Sequence, residues 1–199
     1  MTLSIEQRML YKIRAKGRGW VFSARHFLDF GSRRAVDLAL FRLTNRGVIR
    51  RLGRGIYDYP KMSSTLGILS PSIDAVAKEI AGKNNSKLKI TGAQAANALG
   101  LSTQVPARIV YLTDGPSRQM RIGKQTIMLR HTSPQTMSTA GKGSGTVIEA
   151  LQYLGKENIN NEIVAKIKAA LSETDKKELR KDIGRVADWM RPFIDLIVA

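Results

Sequence analysis

Residues 32–59, SRRAVDLALFRLTNRGVIRRLGRGIYDY, pass from a helical stripe to two short β-rich runs with no linker between them. Val36, Ala39, Leu40 and Leu43 recur at i, i+3, i+4 and i+7, the spacing that gathers apolar side chains on one helical face. Ser32 stands where its hydroxyl accepts from a free first-turn amide, and Gly47 supplies the left-handed residue that stops the helix. Val48 to Leu52 and Ile56 to Tyr59 then read as strands, joined by Gly53-Arg54-Gly55 as a three-residue connection with glycine where positive φ is required. This order predicts the recognition helix and wing of a winged helix-turn-helix.

The residues upstream agree with that reading. Ile5, Met9, Leu10 and Ile13 follow a capping Ser4 and end at Gly17, which predicts a first helix. Trp20-Val21-Phe22 has the length and composition of a small strand, and Ser23 opens a second short helix reaching Leu28. At about 100° per residue, Arg34, Leu38, Phe41 and Asn45 fall opposite the apolar stripe of the third helix, with Asp37 on its flank and Arg33 exposed in the first turn.

Charge narrows the partner. The chain holds 33 Lys+Arg against 16 Asp+Glu, a net +17, and residues 1–62 carry +10, residues 63–142 carry +7 and residues 143–199 carry 0. A basic excess concentrated around a helix and hairpin points to double-stranded DNA. Guanidinium forks match phosphate oxygens and the guanine edge, which assigns Arg33 and Arg34 to the major groove or its bordering phosphates, beside Ser32 and Asp37. Arg50, Arg51 and Arg54 fall to backbone or minor-groove contacts by the wing, and Phe41 or Leu38 to a thymine methyl. Lys16 and Arg18, in a basic turn, are either further phosphate contacts or a plain surface loop. The alternative use of such a helix and hairpin is protein contact.

Other classes find little support. No apolar run approaches the roughly 20 residues of a membrane span, MTLSIEQRML carries charges where a signal peptide is apolar, and no basic helix has the exposed apolar face of a membrane binder. The expected location is the cytoplasm, with no membrane partner. Cysteine is absent, so disulfides and thiolate metal sites are excluded. His26 and His131 have no ligand grouping around them, and the carboxylates of the basic region are scattered, so no metal, cofactor or catalytic residue is expected and the chain reads as a non-enzyme. Gly141 to Thr146 lacks the Gly-Lys-Ser/Thr of a phosphate-binding loop and reads as a link and helix cap. A nucleotide-binding or catalytic middle region is the alternative in that class.

Past Pro60, residues 63–71 read as a domain junction. Beyond it the pattern predicts a helix on Ile73, Val76, Ala77 and Ile80, a strand at 88–91, an Ala-rich helix at 93–99, a strand at 108–112, and a hairpin of 118–122 with 125–131. Ser138 to Gly145 reads as a flexible link to a helical tail. In that tail Ser172 and Asp175 form a capping box, and one helix on Leu179, Ile183, Val186 and Met190 runs until Pro192. Its apolar end (Trp189, Met190, Phe193, Ile194, Leu196, Ile197) is expected to pack on the middle region, with a homodimer or partner surface as the alternative use. The fold class expected is α+β: a winged helix-turn-helix at 1–62, then a smaller mixed α+β domain with a helical C-terminal tail within 63–199.

Three segments carry a family resemblance: RRLGRGIYDYPK at 50–61, ITGAQAANALGLSTQVPARIVYLTDGPSR at 90–118 and LRKDIGRVADWMRPFI at 179–194. Together they resemble the AbiEi-like antitoxins of bacterial type IV toxin-antitoxin systems, in a short form. The resemblance implies an N-terminal winged helix that represses its own operon by binding repeats in the promoter, as part of phage defence by abortive infection. It implies a C-terminal domain that opposes a nucleotidyltransferase-like toxin without a stable complex. By position, DNA contact then falls on Ser32, Arg33 and Arg34 of the helix and on Arg51 and Arg54 of the wing. The other use of the C-terminal helices is as an adaptor that sequesters the toxin.

Overall fold

The computed structural model describes residues 3–82, 84–103 and 108–199. The fold is α+β. Contacts divide the chain into one unit of 1–85 with 120–124 and another of 86–119 with 125–199.

In the first unit α1 (Ile5–Lys16) starts at Ser4, whose hydroxyl accepts from Gln7 N while the Gln7 side chain accepts in return from Ser4 N. A two-residue strand, β1 (Val21–Phe22), leads into a single 3-10 turn at Ala24–Phe27, which is all that forms of the expected second helix. Helix α2 (Arg33–Asn45) follows, capped by the Ser32 hydroxyl on Ala35 N. Its Val36, Ala39, Leu40 and Leu43 are buried with Met9, Ile13, Phe22 and Phe27, each large apolar side chain contributing about 1.5–3 kcal/mol by leaving water.

The hairpin starts later than its sequence suggests. Val48 N and Ile49 N both donate to Leu43 O, closing the end of α2, so β2 begins only at Arg50 (Arg50–Gly53). It pairs with β3 (Ile56–Asp58), and β3 pairs in turn with β1. Gly53 lies opposite Ile56, which makes the connection the two-residue turn Arg54-Gly55 instead of a three-residue one. Gly55 there has φ +68, the conformation a tight hairpin demands.

The expected junction after residue 62 is occupied by structure. Strands β4 (Met62–Ser63) and β5 (Gly67–Ile68) form a small hairpin, and α3 (Ile73–Gly82) packs back on β1 and β3, so the first unit extends to Asn85. Val76 and Ala77 provide the apolar part of that docking and Glu79 the polar part.

The second unit, expected to be the smaller, is the larger. Strands β6 (Leu88–Ile90), β7 (Arg108–Thr113), β8 (Arg118–Ile122, of which Met120–Ile122 is counted with the first unit) and β9 (Gln125–His131) stand in the order β6-β7-β9-β8, with β7 and β9 parallel. Helices α4 (Ala93–Ala98), α5 (Pro134–Met137), α6 (Gly143–Leu154), α7 (Asn161–Ala170), α8 (Glu173–Asp182) and α9 (Arg191–Val198) complete it. Val147, Leu151, Ile167, Leu179, Ile194 and Ile197 share one core, so the apolar chain end packs within its own unit.

Two expectations in this unit are corrected. The segment 138–145 is no loose link: Gly143 and Gly145 belong to the opening turn of α6, where the Ser144 hydroxyl donates to the buried Asp182 carboxylate at 2.9 Å. At Gly145 a Cβ would lie 2.3 Å from Thr139 O, so only glycine permits the approach. Nor does one helix run from Leu179 to Pro192. The chain leaves the helix at Asp182 through a 3-10 turn over Ile183–Arg185, and Pro192 sits in the first turn of α9, where no amide hydrogen is needed.

Candidate nucleic-acid interface

Burial of the apolar stripe of α2 fixes which side chains face outward. Arg34, Leu38, Phe41, Arg42 and Asn45 are exposed, Leu38 by 49% and Phe41 by 60%. Neither Arg34 nor Arg42 has a partner among the described residues. Arg42 was absent from the sequence expectation, although at about 100° per residue it falls on the flank of that outward face, opposite the flank of Asp37. Arg33 is exposed but tied, its Nε lying 3.0 and 2.9 Å from the two Asp37 carboxylate oxygens. Asp37 therefore orients Arg33, and Ser32 spends its hydroxyl on the cap.

The wing sorts its arginines by strand alternation. Arg51 is exposed with no partner among the described residues, and Arg54 stands exposed at the turn. Arg50 turns the other way. Its Nε and Nη2 donate to the two oxygens of Asp58 at 3.0 and 2.6 Å, Nη2 also donates to Leu69 O at 3.0 Å, and the Asp58 side chain is 1% exposed. Arg50 is thus engaged in holding β2, β3 and the chain after β5 together, rather than offered to a ligand. Of the basic turn, Lys16 is exposed with no partner among the described residues, whereas Arg18 donates to Pro60 O at 3.0 Å and lies over the Tyr59 ring.

Helix start and wing turn converge on a cavity of about 260 Å³ lined by Ser23, Ala24, Arg25, Arg33 and Gly55. Behind it Glu79 of α3 holds Arg25 through two bonds, Nε to Oε1 at 3.1 Å and Nη2 to Oε2 at 2.8 Å, and His26 Nε2 lies 3.0 Å from Oε2. Burial works to raise the Glu79 carboxyl, but its hydrogen bonds with His26 and Arg25 outweigh burial and keep the group below its ordinary value. This cluster joins residues more than fifty positions apart, so no local spacing betrays it.

Residues 8–179 match the model of a family described only as a family of unknown function, DUF6088. The chain belongs to that family. Among solved structures, the RV2827C protein from Mycobacterium tuberculosis overlays with a TM-score of 0.47 at 12% identity, covering 98% of this chain and 76% of that one, a likeness too loose to carry an argument. Comparison with curated proteins gives no match. No helix among the described residues of this DUF6088 member is long and apolar enough to cross a membrane.

Proposed function

We propose that this protein binds double-stranded DNA through α2 and the β2–β3 wing and acts in the cytoplasm as a repressor of its own promoter. The observation that carries the reading is the outward face of α2, where Leu38 and Phe41 stand uncovered among the unpartnered cations Arg34 and Arg42. A merely solvated face has no use for a leucine and a phenylalanine. A face that enters a major groove does, because methyl and ring contacts to thymine complement arginine contacts to guanine and phosphate. One such module reads a short half-site, so the operator is a repeated sequence.

The resemblance to the AbiEi-like antitoxins supports the second half of the proposal: the partner gene encodes a nucleotidyltransferase-like toxin that the second unit opposes without a stable complex. The test of the DNA reading is the double reversal Arg34→Glu with Arg51→Glu, two exposed positions. Binding to the promoter fragment should fall at least a hundredfold while the thermal midpoint stays unchanged, an effect of about 2.7 kcal/mol. Undiminished binding in the folded variant would defeat the assignment.

A further inference from the structure

A second recess lies wholly in the second unit and serves none of the roles above. It has a volume of about 660 Å³, within the range of small-molecule sites. Its lining includes Lys89 of β6, Thr136, Thr139 and Arg185, together with the apolar Ile148 of α6 and Val186.

The polar groups are built into the fold. Lys89 is only 7% exposed, an unusual place for a lysine. Its ammonium has three donors, of which one faces Glu149 Oε1 at 3.0 Å and one Thr136 O at 3.3 Å, leaving the third. Thr139 is 6% exposed, and its hydroxyl has no partner among the described residues. Arg185 gives one nitrogen to the buried Asp182 at 3.2 Å and keeps the rest of its fork toward solvent. Neither Glu149 nor Asp182 lines the recess, so both carboxylates stand behind the cations and fix them.

The wall therefore offers two positive charges, spare donors and an apolar side. A ligand that suits it is rich in acceptors, negatively charged and organic. We infer that this recess binds a small organic phosphate, a sugar phosphate or a mononucleotide, with the phosphate held by Lys89, Thr139 and Arg185 and the organic part against Ile148 and Val186. The fork of Arg185 matches two phosphate oxygens, while Lys89 acts as a buried point charge. This site stands independently of the DNA reading.

The experiment is calorimetric titration of the full-length protein with ribose phosphate and adenosine monophosphate, with ribose and adenosine as uncharged controls, at constant ionic strength. Saturable binding of a phosphate compound is expected, absent for its control, and weakened about tenfold or more by Thr139→Val or by Arg185→Gln. Thr139→Val removes an unpartnered hydroxyl at nearly constant volume, so its thermal midpoint without ligand should match the parent; Lys89→Met, which strands Glu149, is the harsher third variant. The proposal fails if neither phosphate compound saturates in the millimolar range, if the controls bind as well, or if both mild variants bind like the parent. It also fails if Arg34→Glu with Arg51→Glu abolishes the signal, since the anion then sits on the helix and wing. Retention in that variant keeps the two sites distinct.

Discussion

Adjacent residues in this chain do opposite work. Arg50 neutralises a carboxylate that is 1% exposed, while Arg51 points outward with no partner among the described residues. Replacing Arg50 by glutamine strands the Asp58 charge and should cost about 2–4 kcal/mol, read as a lower denaturant midpoint. Arg51→Gln should leave that midpoint within about 0.5 kcal/mol and instead weaken DNA binding. Glu79 gives a prediction with a sign. Its folded value lies below the ordinary 4.5, so its contribution is complete above the unfolded value and is lost as pH falls through the folded one. Glu79→Gln should therefore be less stable than the parent at neutral pH, by about 2 kcal/mol, and the gap should close in acid below the ordinary carboxylate range. Denaturation of both proteins across that range measures it, and a gap that persists undiminished in acid contradicts the account.

Among elements, α2 was the most legible. A stripe of Val36, Ala39, Leu40 and Leu43 has a period that only a helix satisfies, and Ser32 and Gly47 mark its ends by local hydrogen bonding that sequence displays directly. The α8 capping box was readable for the same reason. What escaped was set at a distance. No short-range signal says that α3 folds back on β1, since Glu79 meets Arg25 across 54 positions. Glycine is ambiguous in both directions: at 143–145 it resembles slack but Gly145 is required by a close backbone approach, and Gly184, with its weak helix propensity, falls just past the end of α8 within a segment whose apolar spacing is helical. The register of the outward face was readable, whereas the use of Arg50 was not, because which wing arginine meets Asp58 is set by the strand register that places Arg50 opposite Asp58. Leu40 and Phe41 test the helix as a unit. Leu40→Ala empties a fully buried site and should cost about 2–5 kcal/mol in stability, whereas Phe41→Ala should keep stability and lose operator affinity in a binding titration.

On the scale of the molecule, net charge is unevenly distributed. Lysine and arginine are spread along the sequence, but the acidic residues gather in the last third, so the net positive charge lies in the part that carries α2 and the wing, where a polyanion is met. For the full-length protein, the logarithm of DNA affinity should fall linearly with the logarithm of salt concentration, and removing Arg34 or Arg51 should flatten the slope by about 0.9 for each phosphate left without its cation. A slope untouched by either change would place those side chains away from phosphate. The strand order β6-β7-β9-β8 has its own bearing on how such a molecule is made. On the ribosome Arg108–Thr113 emerges before Gln125–His131, the neighbour it needs, and until then one side of β7 offers bare peptide groups to any passing strand. A nascent chain stalled between those two segments is the form in which this protein is most exposed to aggregation.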